Sequence, residues 1–148
     1  NKWDSVKDRE TALAQIRDRL QTSLQQIRGV PVVTLSALTG RGVDKLLPTV
    51  VKTFDLWNAR VPTGALNRWL KEMLEGHPPP MGSHGKRLSV RYATQAKSRP
   101  PTFILFSSTA TKLPESYLRY LTNGLRDSFG LEGIPIRILT RSGKNPFA

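Results

Sequence analysis

The sequence predicts a mixed α/β and α+β chain in two parts. Residues 1–60 read as helix, strand, helix, and residues 61–148 as an α-β-β-α-β domain with a three-stranded sheet. Three observations carry this reading. In four stretches apolar residues recur every three or four positions, the period of a helix with one side on a core. In four others they alternate, or cluster in short β-branched and aromatic runs, the mark of strands. The composition shifts at Ala59-Arg60-Val61-Pro62, and a boundary is placed there. At 148 residues and 38% hydrophobic, the chain can build one ordinary core or two small ones.

The first helix is expected over residues 5–28, because Leu13, Ile16, Leu20, Leu24 and Ile27 form one stripe and Gly29 follows as a stop. Val30-Pro31-Val32-Val33-Thr34-Leu35 reads as a buried strand, and Ser36-Ala37-Leu38-Thr39-Gly40 as a loop. A second helix runs from about Val43 to Trp57, with Pro48 tolerable only in its first turns. The third starts at Pro62-Thr63, with Thr63 as the capping residue and Leu66, Trp69, Leu70, Met73 and Leu74 on its apolar face. His77-Pro78-Pro79-Pro80 cannot continue it. In 87–95, Leu88, Val90 and Tyr92 alternate with Arg87, Ser89 and Arg91, predicting a half-buried strand with a basic outer face. Residues 102–107 are apolar on both sides and should be central. Pro114 opens the fourth helix, striped by Leu118, Leu121, Leu125 and Phe129 and stopped by Gly130. Ile134, Ile136 and Ile138 mark the last strand. The helix between the second and third strands of this half permits a parallel crossover.

Charge is the strongest bulk signal, with 23 Lys+Arg against 11 Asp+Glu and a formal net charge of +12. Residues 61–148 carry 13 basic and 5 acidic residues, against 10 and 6 in residues 1–60. No acid occurs between Glu75 and Glu115, where Lys86, Arg87, Arg91, Lys97, Arg99 and Lys112 all lie. Such a stretch favours a polyanion, because neutralising phosphates releases their counterions. The absence of cysteine excludes disulfides and thiolate metal sites and fits a reducing compartment. His77 and His84 sit in a Pro/Gly-rich loop and are read as solvated rather than as metal ligands. No apolar run is long enough to cross a bilayer, so no membrane partner is expected, and no targeting leader is read at the start.

Asn1-Lys2-Trp3-Asp4 has the form N-K-x-D. A carboxylate at Asp4 can accept from both N1–H and the N2 amino group of guanine, donors that adenine lacks on that edge. Lys2 can lay its alkyl stem along the base, and Asn1 can brace the neighbouring loop. Ser36-Ala37 follows after one helix and one strand, as a Ser-Ala pair does in GTPases. That likeness implies that the Ala37 N–H bonds guanine O6 and that Ser36 holds the loop. The phosphate-loop pattern G-x-x-x-x-G-K-[ST] is missing: Gly85-Lys86 is followed by Arg87, and Gly143-Lys144 by Asn145. The chain is therefore expected to touch only the base, and to hydrolyse no GTP by itself.

Further motifs extend the likeness along the chain. They are Leu66-Asn67-Arg68-Trp69-Leu70 with His77-Pro78-Pro79-Pro80, Arg91-Tyr92-Ala93-Thr94-Gln95, Arg99-Pro100-Pro101-Thr102-Phe103, Pro114 to Leu121, and Gly133-Ile134-Pro135-Ile136-Arg137 with Lys144-Asn145-Pro146. In this order they resemble the C-terminal part of the Der (EngA) family of ribosome-assembly GTPases. The resemblance implies that residues 1–60 are the remnant of a second P-loop GTPase domain and residues 61–148 a KH-like domain. It implies a parent that binds and hydrolyses GTP with magnesium and assists large-subunit biogenesis, in the bacterial cytoplasm or an organelle. The expected partners are the large ribosomal subunit with its RNA and the GTPase domains missing from this sequence. A sheet reduced to one strand cannot close its core, so residues 1–60 are expected to be rearranged or packed in a new way.

For RNA, the expected contacts are Lys86, Arg87, Arg91, Lys97 and Arg99, on a strand face and turn, touching phosphates without reading bases. The backbone clamp of KH domains needs a basic G-x-x-G loop. The one between the second and third strands, Gly130-Leu131-Glu132-Gly133, carries an acid instead. Trp69 and Tyr92 lie on apolar faces and read as core. The alternative to RNA docking is an intramolecular surface for the GTPase domains, exposed or hidden by their nucleotide state.

Overall fold

The computed structural model describes residues 1–24, 26–82, 87–107 and 113–142. The chain divides into two compact units, Asn1–Leu56 with Glu132–Pro135, and Trp57–Leu131 with Ile136–Ala148.

In the first unit, helix α1 spans Arg9–Ser23, shorter than the predicted 5–28. Asp8 sets its start, accepting the Thr11 N–H at 3.1 Å. Hydrogen bonds to Thr11 hold the Asp8 carboxyl below its ordinary value. Its end is set at Leu24, which leaves helical geometry while its N–H still bonds the Leu20 carbonyl at 2.8 Å. α1 buries none of its residues, so the predicted stripe meets no core along this helix. Residues 30–35 form no strand among the described residues. A lone extended segment has no ladder to join, and the Leu35 carbonyl instead accepts the Trp3 N–H at 3.1 Å. A 3₁₀ turn at Val43–Lys45 leads into α2, Leu46–Trp57. Pro48 is its third residue, where no helical hydrogen bond is lost. The 132–135 segment is tied down by the Gly133 N–H, which donates to the Arg28 carbonyl at 2.7 Å.

The second unit follows the predicted order: α3 (Thr63–Gly76), β1 (Val90–Ser98), β2 (Pro101–Ser107), α4 (Glu115–Phe129) and β3 (Arg137–Ser142). Pro62, not Thr63, occupies the capping position of α3, and no side chain caps it. The strands lie in the order β1-β2-β3, with β1 antiparallel and β3 parallel to β2. The parallel crossover through α4 is therefore present. β1 begins three residues later than predicted and Arg87 pairs separately with Met81. β3 also starts late, so Ile134 is buried ahead of the strand rather than within it.

The core of this unit joins Leu66, Trp69 and Leu70 of α3 to Leu121 and Leu125 of α4 and to Ala93, Phe103 and Leu105 of the sheet. Burying each large side chain contributes about 1.5–3 kcal/mol. α3 and α4 approach at Gly124, where a Cβ would meet the Met73 thioether and stand 3.3 Å from Trp69 Cζ2. The Trp69 ring stands edge-on to Phe129, with centroids 6.0 Å apart.

Candidate functional site

The two loops singled out for guanine meet in the first unit. Asn1 Oδ1 accepts from its neighbour Lys2 N–H at 2.7 Å and, across 36 residues, from Ala37 N–H at 3.1 Å. Lys2 adopts a left-handed φ of 60°, and its carbonyl accepts from the Ser5 amide at 3.2 Å and hydroxyl at 2.8 Å. That tight turn leaves Lys2 and Asp4 exposed.

The 36–42 loop is built to hold its shape. Ser36 is buried. Its N–H donates to the Arg41 carbonyl at 2.9 Å, and its Oγ accepts the Thr39 N–H at 3.2 Å. Gly40 and Gly42 both take left-handed φ values, 75° and 76°. At Gly42 a Cβ would lie 2.5 Å from the Thr34 carbonyl oxygen, so only glycine fits. Asn1, Ser36 and Ala37 are thus brought into one cluster. Lys2 and Asp4 stand at its exposed side, on the turn that Trp3 pins to Leu35. The Ala37 N–H, assigned to guanine O6 from the motif, here donates to Asn1.

The basic residues are not arranged as the alternation predicts. Lys86 lies outside the described residues. Arg87, Arg91, Lys97 and Arg99 are all exposed, but they do not share one strand face. Arg87 precedes β1. Arg91 is the extra residue of a β-bulge between Val90 and Tyr92, which breaks the alternation read from the sequence. Arg99 sits in the turn between β1 and β2, and Lys97 follows a second bulge. Trp69 is buried, as expected, and Tyr92 is half-buried against Phe106.

The G-x-x-G segment is a helix terminus. Gly130 ends α4 with φ 63°, and the Leu131 N–H returns to the Arg126 carbonyl at 3.1 Å while its side chain is buried. His84 lies outside the described residues, and His77 is exposed, as expected, with its ring beside two tyrosines. Its ring centroid is 6.0 Å from that of Tyr117 and 5.1 Å from that of Tyr120. The two tyrosine hydroxyls satisfy the end of α3, Tyr117 donating to the His77 carbonyl at 2.6 Å and Tyr120 to the Met73 carbonyl at 3.1 Å. Burial, and then the adjacent Tyr120, push the Tyr117 phenol up to about 12. Among the described residues no group of three or more His, Asp or Glu side chains could hold a metal.

Two polar side chains that the sequence did not flag organise β1. Asn67 of α3 accepts the Ala93 N–H at 2.9 Å and donates to the Ala93 carbonyl at 2.9 Å. Gln95 accepts the Val61 N–H at 2.7 Å and donates to the Ala59 carbonyl at 2.9 Å. Both occur in the motifs Leu-Asn-Arg-Trp-Leu and Arg-Tyr-Ala-Thr-Gln, and a polar residue inside an apolar pattern was the available signal.

Residues 60–141 match a family model described as the KH-domain-like region of EngA bacterial GTPase enzymes, C-terminal. A mixed fold with a three-stranded sheet agrees with it. The chain is 53% identical over 148 residues to GTPase Der of Parvibaculum lavamentivorans, covering 100% of this chain and 31% of that protein. It is 50% identical over 148 residues to GTPase Der of Hyphomonas neptunium and 49% identical over 148 residues to that of Mesorhizobium japonicum. It covers 100% of itself in both cases, with 29% and 31% of those proteins. The chain thus spans about three-tenths of the length of these relatives.

Proposed function

This chain belongs to the Der (EngA) GTPase family, and from that premise we propose that it is the guanine-reading and RNA-docking end of a GTP-hydrolysing protein that assists large ribosomal subunit assembly. The observation that carries the nucleotide half is the hydrogen bond from Ala37 N–H to Asn1 Oδ1, which joins N-K-x-D to its Ser-Ala partner. Asp4, exposed on that turn, would accept from guanine N1–H and N2, and Lys2 would cover the base. These residues fit the base alone. The phosphates and magnesium would be held by a phosphate loop, whose pattern does not occur in this sequence, and by switch segments; the one D-x-x-G match, Asp127-Ser128-Phe129-Gly130, is the end of α4. The chain by itself should therefore turn over no GTP, and a phosphate-release assay with magnesium checks this.

Residues 61–148 would act as the KH-like domain that docks on ribosomal RNA. The exposed Arg87, Arg91, Lys97 and Arg99, in a stretch without carboxylates, support phosphate contacts. The turn and bulge positions present them as separate points rather than as a reading face, so contacts without base specificity are the mode they suit. No helix among the described residues is long and apolar enough to cross a membrane, and the ribosomal role would place the protein in the bacterial cytoplasm or an organelle.

A second reading, a docking surface for the other GTPase domains, is favoured by Leu139, 48% exposed on β3. Binding of the chain to large-subunit ribosomal RNA over a salt series separates the two. The RNA reading requires affinity that falls steeply with salt, by a logarithmic slope of about 0.7–0.9 per phosphate contact. It also requires loss of binding when Lys86, Arg87, Arg91, Lys97 and Arg99 become Glu. Binding indifferent to both would transfer the surface to a protein partner.

A further inference from the structure

The strand register assembles a second set of residues on the sheet. Directly paired residues on neighbouring strands share a face. One face carries Gln95, Phe103 and Ile138, then Ala93, Leu105 and Thr140. Ala93, Phe103 and Leu105 are fully buried there, and the apolar stripes of α3 and α4 account for that burial. The opposite face consists of three cross-strand rows: Lys97-Thr102-Arg137, Thr94-Ile104-Leu139 and Tyr92-Phe106-Arg141.

That opposite face has a consistent chemistry. Lys97, Arg137 and Arg141 are exposed, and β1, β2 and β3 contain no Asp or Glu. Cations therefore stand at both ends of the face, separated along β2 by about 13 Å. Between them lies the Thr94-Ile104-Leu139 row, in which Ile104 is buried and Leu139 exposed, and the rings of Tyr92 and Phe106, with centroids 5.9 Å apart, stand beside Arg141 in the end row. The two rings are half-buried rather than sealed in the core. Apolar and aromatic groups framed by cations, with no carboxylate, suit a polyanion that also offers flat apolar surfaces.

We infer that this face binds single-stranded RNA, about two bases lying on Phe106, Tyr92 and Leu139 and the flanking phosphates on Arg137, Arg141 and Lys97. A duplex keeps its bases stacked inside and would engage the cations only. The inference rests on the RNA-docking reading above, and it adds Arg137, Arg141, Tyr92 and Phe106, which that reading does not use. It makes the sheet face, rather than the G-x-x-G turn, the place where bases are met.

The test uses a labelled single-stranded RNA 12-mer of mixed sequence and a duplex of the same length, titrated with the full chain. Arg137→Glu with Arg141→Glu should weaken single-strand binding about tenfold or more and lower the logarithmic salt slope by about 1.4. Phe106→Leu keeps an apolar side chain and should cost about fivefold on the single strand and nothing on the duplex. Arg137→Lys with Arg141→Lys should restore binding, and thermal unfolding confirms that each variant folds. If the β3 and Phe106 variants bind like the parent while Arg87, Arg91 and Arg99 changed to Glu abolish binding, the inference falls and the RNA-docking reading stands. An equal loss on both RNAs for Phe106→Leu also overturns the stacking. If the unaltered chain binds neither RNA, both readings fall and the face belongs to a protein partner.

Discussion

At the residue scale, the two loop glycines separate two physical costs. Gly40 and Gly42 share the same left-handed φ, but a Cβ at Gly40 would meet nothing within 4 Å, whereas at Gly42 it would strike the Thr34 carbonyl. Gly40→Ala should therefore cost only the backbone preference, about 1 kcal/mol, and Gly42→Ala about 2 kcal/mol or more. Denaturant unfolding midpoints check the order, and faster exchange of the Ala37 amide in Gly42→Ala would locate the damage in the loop that presents it. Asp4 gives a prediction about specificity. Asp4→Asn replaces an acceptor with an amide donor, which mismatches guanine N2 but suits the C2 carbonyl of xanthine. In a protein carrying the whole nucleotide domain, GTP affinity should fall about 100-fold or more and xanthosine triphosphate should bind instead. Competition binding with the two nucleotides decides it; unchanged GTP affinity would remove Asp4 from the base site. N-K-x-D and Ser-Ala could be singled out as one loop pair because reading a base edge would fix residue types at fixed spacing. The Asn1–Ala37 bond was not, because it depends on how a loop 36 residues away folds back.

At the scale of elements, α3 and α4 are joined by polar contacts as well as by packing. Asn67 occupies both backbone groups of Ala93, which a sheet edge would otherwise leave unpaired. Asn67→Ala should destabilise by about 1–3 kcal/mol, because it strands a part-buried donor and acceptor together. A lowered unfolding midpoint with faster Ala93 amide exchange is the expected pair of results. Tyr117 adds a pH dependence. Its folded pKa is raised to about 12 from the ordinary tyrosine value of 10.0, so the folded state disfavours the phenolate. The stability this contributes is complete below pH 10 and lost as the pH rises from 10 towards 12. Tyr117→Phe should be less stable at pH 8, losing the bond to His77, and should show a flatter decline over that alkaline window. Helices with a strong stripe and the central strand β2 were legible because burial dictates period. Two boundaries failed for a local reason. The β-bulge at Arg91 shifts a face by one residue and leaves no trace in composition. Pro62 supplies a fixed φ where a capping hydroxyl at Thr63 was expected.

At the scale of the molecule, the failed strand at 30–35 and the exposure of α2 have one cause. Both segments have the sequence of elements that serve a larger sheet. The apolar run at 30–35 has the composition of a strand flanked on both sides, and α2 has the stripe of a helix laid on a sheet. Here no ladder forms, and Leu47, Val50, Val51 and Phe54 stay 71%, 53%, 56% and 49% exposed. Four such residues within one helix exceed the scattered apolar exposure of an ordinary surface. The relatives are about three times as long as this chain, and under the function proposed above the rest of a nucleotide domain would supply the sheet that takes up these segments. The 148-residue chain should accordingly bind an apolar-surface dye such as ANS strongly, and its α2 amides should exchange quickly. Leu47→Glu with Val50→Lys should abolish most of the dye signal without loss of thermal stability. In the protein with the complete nucleotide domain, the parent sequence should bind little dye, and the same pair of substitutions should now destabilise by several kcal/mol, about 2–5 for each buried side chain lost. Equal tolerance in both lengths would mean that α2 is a surface helix and that residues 1–60 carry their own complete packing.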